Sequence, residues 1–307
     1  MSSQVLNAIS IGKQTVWGTP VAPTVSVPVN FTGGIQINQD VQLISSLRTK
    51  LAKNLYAQKG NASYEGSFEL PLLADNVGHF LYSWFGNLVT TGAGPYVHTF
   101  NEAAEKIAYT IEQNLQDLSG RFFGSIVNTL KFSVSNGAPI VVMAEIKAKG
   151  FNEVAAITPA YSDLAAWRSD TAEVKVGGVT IATFQSCEVE LVNNLEYKYV
   201  IGGDGEPQYK YTTGSEVNIS MEGYFDSAMK TNVWDKFKNM DEVEFVLTMN
   251  GPSSEVLVIT CPKVVLTTTE TPIAEDYNKI SVEAKAIFDG TTDKLVHAAL
   301  TNSVVSY

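Results

Sequence analysis

Cysteine, histidine and long apolar runs are scarce in this chain of 307 residues, and each shortage excludes a class of protein. Cys187 and Cys261 are too few for a disulfide-stapled secreted fold, and they lack the CxxC spacing of a metal site. No apolar run approaches the roughly 18 residues that cross a membrane. The first residues also lack the basic and apolar regions of a signal peptide. These absences favour synthesis in a reducing cytoplasm, without a membrane contact.

Recognisable catalytic motifs are missing as well. The sequence contains no G-x-S-x-G, no HExxH and no Walker loop, and its histidines are His79, His98 and His297. Gly202–Glu206 lacks the D-x-[DN]-x-[DN]-G order of a calcium loop and indicates a tight turn. The carboxylates mostly occupy alternating strand positions, as on a solvated sheet face. We therefore predict that the chain is not an enzyme and has no cofactor and no metal site.

Basic residues are outnumbered, and the imbalance is confined to one half of the chain. The net charge is −11, yet residues 1–153 are neutral, so the whole excess of carboxylates lies in residues 154–307. Nucleic-acid binders need clustered Lys and Arg to neutralise phosphates, so this composition disfavours DNA or RNA as a bound ligand. Solubility is the simplest alternative role for such a charge.

The stretch Gly60–Gly86 combines a strand with a short helix. Tyr64, Phe68 and Leu70 alternate with polar residues, which predicts a half-buried strand over Ser63–Leu70. Helical spacing follows, with Asp75 as the predicted N-cap and Gly86 as the C-terminal stop. The same arrangement recurs in the strand Ser215–Gly223 and the helix Asp226–Asn239.

A shift of 154 residues overlays the two halves, placing Ile35 on Val189 and Ile37 on Leu191. The predicted fold is mainly β with short helices: two tandem β-sandwich or barrel domains, each with one flanking helix, related by an internal duplication. The predicted segments are an extended N-terminal arm (1–30), a first domain (31–153), a connector (154–172), a second domain (173–290) and a C-terminal arm (291–307). Prolines should keep the N-terminal arm outside any sheet, with Trp17 as its aromatic anchor.

Two long loops occupy matching positions in the halves. Gln39–Lys59 carries Arg48, Lys50, Lys53 and Lys59. Leucines spaced every four residues allow a helix there, but a long hairpin loop is favoured, and loops of this length are usually functional. Its counterpart, Glu196–Thr213, is nearly neutral and contains Tyr197, Tyr199, Tyr209 and Tyr211.

Four stretches carry a resemblance to a known family: Ile11–Pro20, the Gly60–Gly86 unit, Gly94–Phe100 and Arg121–Asn128. Together they resemble the tail tube, or major tail, proteins of long-tailed bacteriophages. The resemblance implies a β-sandwich-like domain beside one helix, six of which form a ring, and rings that stack into a hollow tube for DNA. For a duplicated chain the implied ring is a homotrimer with pseudo-sixfold symmetry; for a single-domain interpretation it is a hexamer.

The same resemblance implies location in the virion tail after synthesis in the host bacterial cytoplasm. The implied partners are further copies of the chain, the tape measure protein, and the tail terminator and distal tail proteins. DNA passes through such a tube without specific binding. The long loop and the terminal arms are the family's usual contacts between rings.

Three site hypotheses follow. A lumen that passes DNA should carry carboxylates, so we predict that it is lined by Glu65, Glu69, Glu188, Glu190, Glu216 and Glu222, whose strand faces carry no Lys or Arg. The loop residues Arg48, Lys50, Lys53 and Lys59 should dock on an acidic patch of an adjacent subunit between rings. Trp17 and Pro20 mark an arm that contacts another subunit.

A monomeric β-sandwich that binds carbohydrate, or an adhesin module, is the alternative function. Its contact surface would be the tyrosine-rich loop 197–211, because tyrosine rings stack on sugars. Tyrosines on a loop suit packing between subunits equally well, and that role is favoured here.

Overall fold

The computed structural model describes residues 7–30, 33–45, 53–115, 118–270 and 278–307. The chain is mainly β with short helices, which confirms the predicted fold class. The first ten strands are β1 (Asn7–Lys13), β2 (Val25–Val27), β3 (Gly33–Ser45), β4 (Asn54–Pro71), β5 (Gly86–Thr91), β6 (Tyr96–Glu102), β7 (Tyr109–Leu115), β8 (Leu118–Ser135), β9 (Val141–Ala148) and β10 (Gly150–Glu153). The next ten are β11 (Glu173–Val176), β12 (Val179–Thr180), β13 (Phe184–Val192), β14 (Leu195–Lys198), β15 (Tyr209–Thr212), β16 (Glu216–Tyr224), β17 (Val243–Asn250), β18 (Val256–Glu270), β19 (Lys279–Ala286) and β20 (His297–Asn302).

Helix α1 (Ala74–Phe85) follows β4 directly, as the sequence predicts. Gly86 ends it in the left-handed conformation that glycine adopts without strain, with φ of 87°, and its N–H bonds to the carbonyl of Tyr82. The predicted N-cap is wrong, because Leu73 occupies that position and Asp75 lies inside the first turn.

The second helical segment follows β16. It consists of α2 (Ser227–Met229), a π-helical turn (Lys230–Trp234) and α3 (Asp235–Asn239). Its N-cap is Asp226, whose carboxylate accepts a hydrogen bond from the N–H of Met229 at 2.7 Å. In the described part of the chain, no helix has the length and apolar character needed to cross a bilayer.

One continuous sheet connects the two halves of the chain. Its order is β3-β4-β9-β8-β13-β16-β19-β18, and every pairing in it is antiparallel. We call it the eight-strand sheet. Within the described residues, β3 pairs only with β4, and Leu266–Glu270 of β18 pair only with β19. The sheet therefore ends in two open edges, one from each half of the chain.

Two further sheets cover the inner side of the eight-strand sheet. One has the order β2-β1-β7-β8-β10, and the other has the order β12-β11-β17-β18-β20-β6-β5. The long strands β8 and β18 run through both layers of their half. Between the layers lies a buried core that includes Trp84, Phe100, Phe132 and Phe245, each with 0% of its surface exposed. Burial of these large side chains is the main source of stability.

The strand pairings of the two halves follow one order. In the first half the pairs are β1–β2, β1–β7, β7–β8, β8–β10, β8–β9, β9–β4 and β4–β3. In the second they are β11–β12, β11–β17, β17–β18, β18–β20, β18–β19, β19–β16 and β16–β13. The hairpins β5–β6 and β14–β15 are the strands outside this common order.

The N-terminal arm was expected to stay outside any sheet, and this expectation is wrong. Asn7–Lys13 forms β1 between β2 and β7, and Ala8, Ile9, Ser10 and Ile11 are all buried. A strand buried on both faces shows no alternation, which is why its sequence did not indicate a strand. At the other terminus, β20 lies between β18 and β6. The predicted domain boundaries themselves remain predictions.

Both long loops are more regular than expected. β3 and β4 extend the first hairpin to Ser45 and Asn54, and residues 46–52 lie outside the described part of the chain. The tyrosine-rich stretch 196–213 contains the hairpin β14–β15, in which Leu195 lies opposite Thr212.

Candidate functional site

All six predicted lumen glutamates lie on the outward face of the eight-strand sheet. On β4, Glu65 and Glu69 point away from the buried Tyr64, Phe68 and Leu70, as their alternation predicts. On β13 and β16 the outward residues are Glu188, Glu190, Glu216 and Glu222. The structure thus brings onto one surface side chains that are more than 150 positions apart in sequence.

Lysines also lie on this outward face, although the sequence predicts no Lys or Arg beside the glutamates. Lys131 of β8 lies 2.7 Å from the carboxylate of Glu188, and Lys279 of β19 lies 3.2 Å from that of Glu222. Lys147 and Lys285 lie on the same face, opposite Glu65 and Asn218. The stretch Ser63–Leu70 of β4 and the strands β13 and β16 contain no lysine, but their neighbours in the sheet come from distant parts of the chain. Alternation along one strand cannot reveal them.

Carboxylates still predominate on the outward face. Glu145, Glu270 and Glu283 add to the six predicted glutamates. Some of the predicted residues are held by amides: Asn218 donates to Glu190 at 3.1 Å, and Asn194 donates to Glu216 at 3.1 Å. Asn30 donates to Glu69 at 2.5 Å. The surface is therefore acidic overall, and its Lys131 and Lys279 are neutralised by ion pairs.

The pairing of β8 with β13 joins the two halves into one sheet. Seven residue pairs form it, from Ser186 opposite Ser135 to Val192 opposite Thr129. Immediately beyond, Asn193 is fully buried, and its amide donates to the carbonyls of Trp84 and Val127, both at 3.1 Å. A buried amide satisfied in this way fixes where β13 leaves the sheet.

Asn128 is the second anchor of this joint. It is the extra residue of a β-bulge, because the register shifts between Val127 and Thr129. Its carbonyl accepts from the Asn193 N–H, and its side-chain oxygen accepts from the Leu195 N–H, both at 2.8 Å. Sequence reasoning missed both asparagines, since a bulge interrupts the alternation that identifies strands.

The hairpin β14–β15 packs on the first half just after this joint. Lys147 donates to the Leu195 carbonyl at 2.9 Å, and Leu195 itself is buried with Ala108 and Ile126. The Tyr197 hydroxyl lies 2.9 Å from the carbonyls of both Gly124 and Lys147. The Tyr199 hydroxyl donates to the Ala62 carbonyl at 2.9 Å. Two of the four tyrosines thus bond to the chain itself, whereas Tyr209 and Tyr211 are exposed.

Trp17 is anchored within its own chain. Its indole N–H donates to the Gly124 carbonyl at 3.2 Å, and its ring lies 6.0 Å from that of Tyr197 and beneath the Lys149 amine. Trp17 is thus held by contacts inside its own chain, and its predicted role in a contact with another subunit stays a prediction. Pro20 is exposed, and its role in a subunit contact stays a prediction.

Two of the four basic residues predicted to contact an adjacent ring, Lys53 and Lys59, lie in the described part of the β3–β4 hairpin region. Lys53 and Lys59 are exposed, and Lys59 lies opposite Val41. Arg48 and Lys50 lie outside the described residues. The hairpin also exposes apolar side chains, namely Ile37, Val41, Leu43, Ile44 and Tyr56.

The two histidines of the first half have structural neighbours. His98 is fully buried and lies 2.9 Å from the Thr90 hydroxyl and 2.8 Å from the Val304 carbonyl. His79 lies 3.3 Å from the Tyr109 hydroxyl. Desolvation, with a smaller contribution from Lys13, lowers the pKa of His79 to about 4. Among the described residues, no group of His, Cys, Asp and Glu is arranged to hold a metal ion.

Comparison with known proteins agrees with these observations. A family model described as phage tail tube protein matches residues 5–287 of the chain. A search of curated proteins finds no match. Because the family model spans most of the sequence, including the eight-strand sheet and both long hairpins, the chain belongs to the phage tail tube protein family.

Proposed function

We propose that copies of this chain assemble into stacked rings and form a hollow tail tube through which phage DNA is ejected. The observation that carries the proposal is the joint between β8 and β13, which links two similar sheets edge to edge within one chain. The family supplies the context of a structural tail protein. The joint supplies a physical means of building a ring.

The open edges of the eight-strand sheet support closure. In the described chain, β3 at one edge has no strand partner beyond β4, and Leu266–Glu270 of β18 at the other have none beyond β19, although the Ile35 N–H of β3 is bonded to the Gln113 side chain. Such edges are templates for pairing with another chain, and a closed barrel removes them. Pairing β18 of one copy with β3 of the next therefore satisfies both edges and extends the sheet around a ring.

The common pairing order of the two halves supports an internal duplication and, with it, a homotrimeric, pseudo-hexameric ring. Three copies with eight strands each would form a barrel of twenty-four strands. At about 4.8 Å between strands and a tilt of about 40°, such a barrel measures roughly 50 Å across at the backbone. A hexamer would double the strand number and leave a far wider channel.

The outward glutamates would then line the lumen. Glu65, Glu69, Glu188, Glu190, Glu216 and Glu222 share one face with Glu145, Glu270 and Glu283, and Lys131 and Lys279 there are already paired. A phosphate backbone is repelled by such a wall and finds few unpaired cations to bind, so DNA can slide without specific contacts. This arrangement does not require any catalytic group.

The ends of the tube would meet other tail proteins, namely the tape measure protein inside and the terminator and distal tail proteins at either end. The stretch 39–59, with Arg48, Lys50, Lys53 and Lys59 in its sequence, would contact acidic surface of an adjacent subunit between rings, together with Pro20. The proposed location is the virion tail, after synthesis in the cytoplasm of the bacterial host.

Negative-stain imaging of purified protein tests the proposal. We expect discs or tubes with a central channel and threefold symmetry in averaged end views. A protein that stays monomeric at all concentrations and binds oligosaccharides through exposed Tyr209 and Tyr211 would overturn it. Such a result would favour a carbohydrate-binding or adhesin module.

A further inference from the structure

We propose that neighbouring copies pair in one defined register, with Asn38 of β3 opposite Thr268 of β18 in the next chain. In the same contact, the exposed Val41 of the β3–β4 hairpin is covered by the second half of that neighbour. The inference rests on the proposed ring and deepens it by naming the contact residues. The β8–β13 joint inside the chain is the template for this contact.

The β-bulges of β8 and β18 show which residues of these two strands correspond. In β8 the bulge falls at Asn128, between Val127 and Thr129, and in β18 it falls at Thr267, between Leu266 and Thr268. Thr129 lies opposite Glu145 in β9, and Thr268 lies opposite Glu283 in β19. A glutamate therefore occupies the same place beside each bulge. Thr268 corresponds to Thr129, and Glu270 corresponds to Lys131.

The strands β3 and β13 can be aligned through the strands with which they pair. Ile35 in β3 lies opposite Gly66, which lies opposite Ile146 in β9. Val189 in β13 lies opposite Ile219, which lies opposite Ala284 in β19. Ile146 and Ala284 are themselves paired with the residue just before each bulge. Ile35 therefore corresponds to Val189, and Asn38 corresponds to Val192.

Transferring the internal register to the open edges gives the contact between chains. Inside the chain the pairs are Val192 with Thr129, Leu191 with Leu130 and Glu190 with Lys131. The corresponding pairs between chains are Asn38 with Thr268, Ile37 with Thr269 and Gln36 with Glu270. On the outward face, the Gln36 amide can donate to the Glu270 carboxylate.

The exposure of apolar side chains on β3 supports this register. Leu191 is fully buried in the internal joint, whereas its counterpart Ile37 is 48% exposed at the open edge. Leu195 is 1% exposed beneath the hairpin, whereas its counterpart Val41 is 55% exposed. In a single copy Ile37 and Val41 are thus exposed, whereas their counterparts Leu191 and Leu195 are buried at the internal joint. Burying them on a neighbour is favourable by the ordinary hydrophobic effect.

The surface that would receive the neighbour's hairpin, around Lys285, is already present in a single copy. Lys147, which donates to the Leu195 carbonyl, corresponds to Lys285, which is exposed. Lys285 can therefore donate to the Val41 carbonyl of a neighbour. A groove beside each lysine is built from matching positions. The first is lined by Gly34, Gln36, Glu65, Asn128, Glu145 and Lys147, and the second by Glu188, Glu190, Asn218, Thr267, Glu283 and Lys285.

A second copy of the chain is the only occupant that this geometry requires. Both edges belong to one molecule, but seven strand spacings, or roughly 34 Å across the sheet, separate them. They cannot pair within a chain. A contact between different patches of identical subunits is heterologous, and it generates a ring when the rotation closes.

Engineered cysteines test the register. The variant Asn38→Cys with Thr268→Cys places two thiols directly opposite each other, where the Cα separation of paired strands permits a disulfide. The control, Gln36→Cys with Thr268→Cys, keeps both thiols on the same face but displaces one by two residues. Native Cys187 and Cys261 are buried and should not interfere. The pair Gln36→Cys with Glu270→Cys is a second opposed pair in case the first variant folds poorly.

After mild oxidation, non-reducing electrophoresis should show a covalent ladder for both opposed pairs, at least tenfold stronger than for the displaced control. Tubes in electron micrographs without this ladder, or equal cross-linking of the control, would overturn the register while leaving the tube proposal intact. A ladder from protein that never forms tubes would support the contact and refute the tube. Absence of both ladder and tubes would refute both.

Discussion

His79 shows how strongly residue-scale properties depend on distant parts of the chain. Its ring lies on α1 between the rings of Tyr109 and Tyr307, with centroid separations of 5.7 and 4.9 Å. Neither tyrosine can supply a negative charge near neutral pH, and Lys13 is the nearby cation that opposes protonation. The fold therefore holds this histidine neutral and makes its protonation unfavourable.

We predict that acid weakens the fold through His79. Its pKa is about 4 in the folded chain and about 6.5 when unfolded, so the unfolded state binds more protons between these values. Stability is unaffected above about pH 6.5 and falls as the pH approaches 4, by about 1 to 3 kcal/mol. Urea unfolding at pH 7.5 and 4.5 should show a larger loss for the parent than for His79→Gln. Equal losses would contradict the prediction, since carboxylates elsewhere titrate in both proteins.

The sequence places His79 inside the helix predicted between Asp75 and Gly86. It could not supply Tyr109 and Tyr307, because these partners are brought close only by tertiary folding. The same limit applies to Lys131 and Lys279, whose ion pairs with the glutamates depend on sheet order. Residue identity and spacing predict which face a side chain occupies, but not which charges it meets there.

At the scale of single elements, the hairpin β3–β4 is the most distinctive feature. Its base belongs to the eight-strand sheet, and its outer part exposes apolar side chains on the described residues. The second-half counterpart, β14–β15, instead lies on its own chain through Leu195 and Tyr197. One hairpin is thus already docked, while the other extends from the sheet.

We predict that Leu43→Asp leaves the isolated chain folded but prevents assembly. Leu43 is 58% exposed, so an aspartate there loses little packing in the monomer. Burying an unpaired carboxylate at a subunit contact is costly, and the protein concentration needed for tubes should rise at least tenfold. Sedimentation measures assembly, and thermal unfolding checks the fold. Val179→Asp in β12, with the parent side chain 43% exposed, is the matched control and should assemble normally.

A Leu43→Asp protein that assembles like the parent would contradict the role of the hairpin. So would an equal defect in the Val179→Asp control, because that would indicate a general effect of added surface charge. The two variants therefore separate a local contact from net charge.

Elements with clear alternation or clear punctuation were predictable from sequence. Ser63–Leu70 alternates, and Gly86 stops α1, so both were found. β1 was missed because its Ala8–Ile11 segment is buried on both faces. β14 and β15 were missed because short strands between glycine-rich turns carry little periodicity. Propensity thus identifies half-buried strands far better than strands covered on both faces.

For the whole molecule, the principal property is a sheet with one acidic face and two open edges. The acidic face can repel DNA only if it faces a channel, and the edges determine whether such a channel closes. Charge on this face should therefore affect DNA passage, whereas charge on other surfaces should not.

We predict that Glu190→Lys combined with Glu216→Lys slows DNA ejection several-fold while tubes still form. The added lysines would bind phosphates along the lumen and introduce a salt-dependent drag. The matched control is Glu153→Lys combined with Glu244→Lys, at exposed positions outside the eight-strand sheet. Phage carrying each pair can be compared by the rate of DNA release at low and high salt. Equal rates for the two phages would contradict a lumenal position of the face.

The covalent link through the β8–β13 joint also has a kinetic consequence. In a trimeric ring with six edge contacts, each folded chain already contains one, so three of the six lie within chains and cannot dissociate. Only the three contacts between chains remain to be formed. A ring then assembles from three molecules instead of six separate halves, so less translational entropy is lost and the nucleus for growth contains fewer molecules. A tube built from linked pairs should consequently begin to grow at lower subunit concentration than one built from separate halves. Its onset should also vary less steeply with the amount of protein that the infected cell has made.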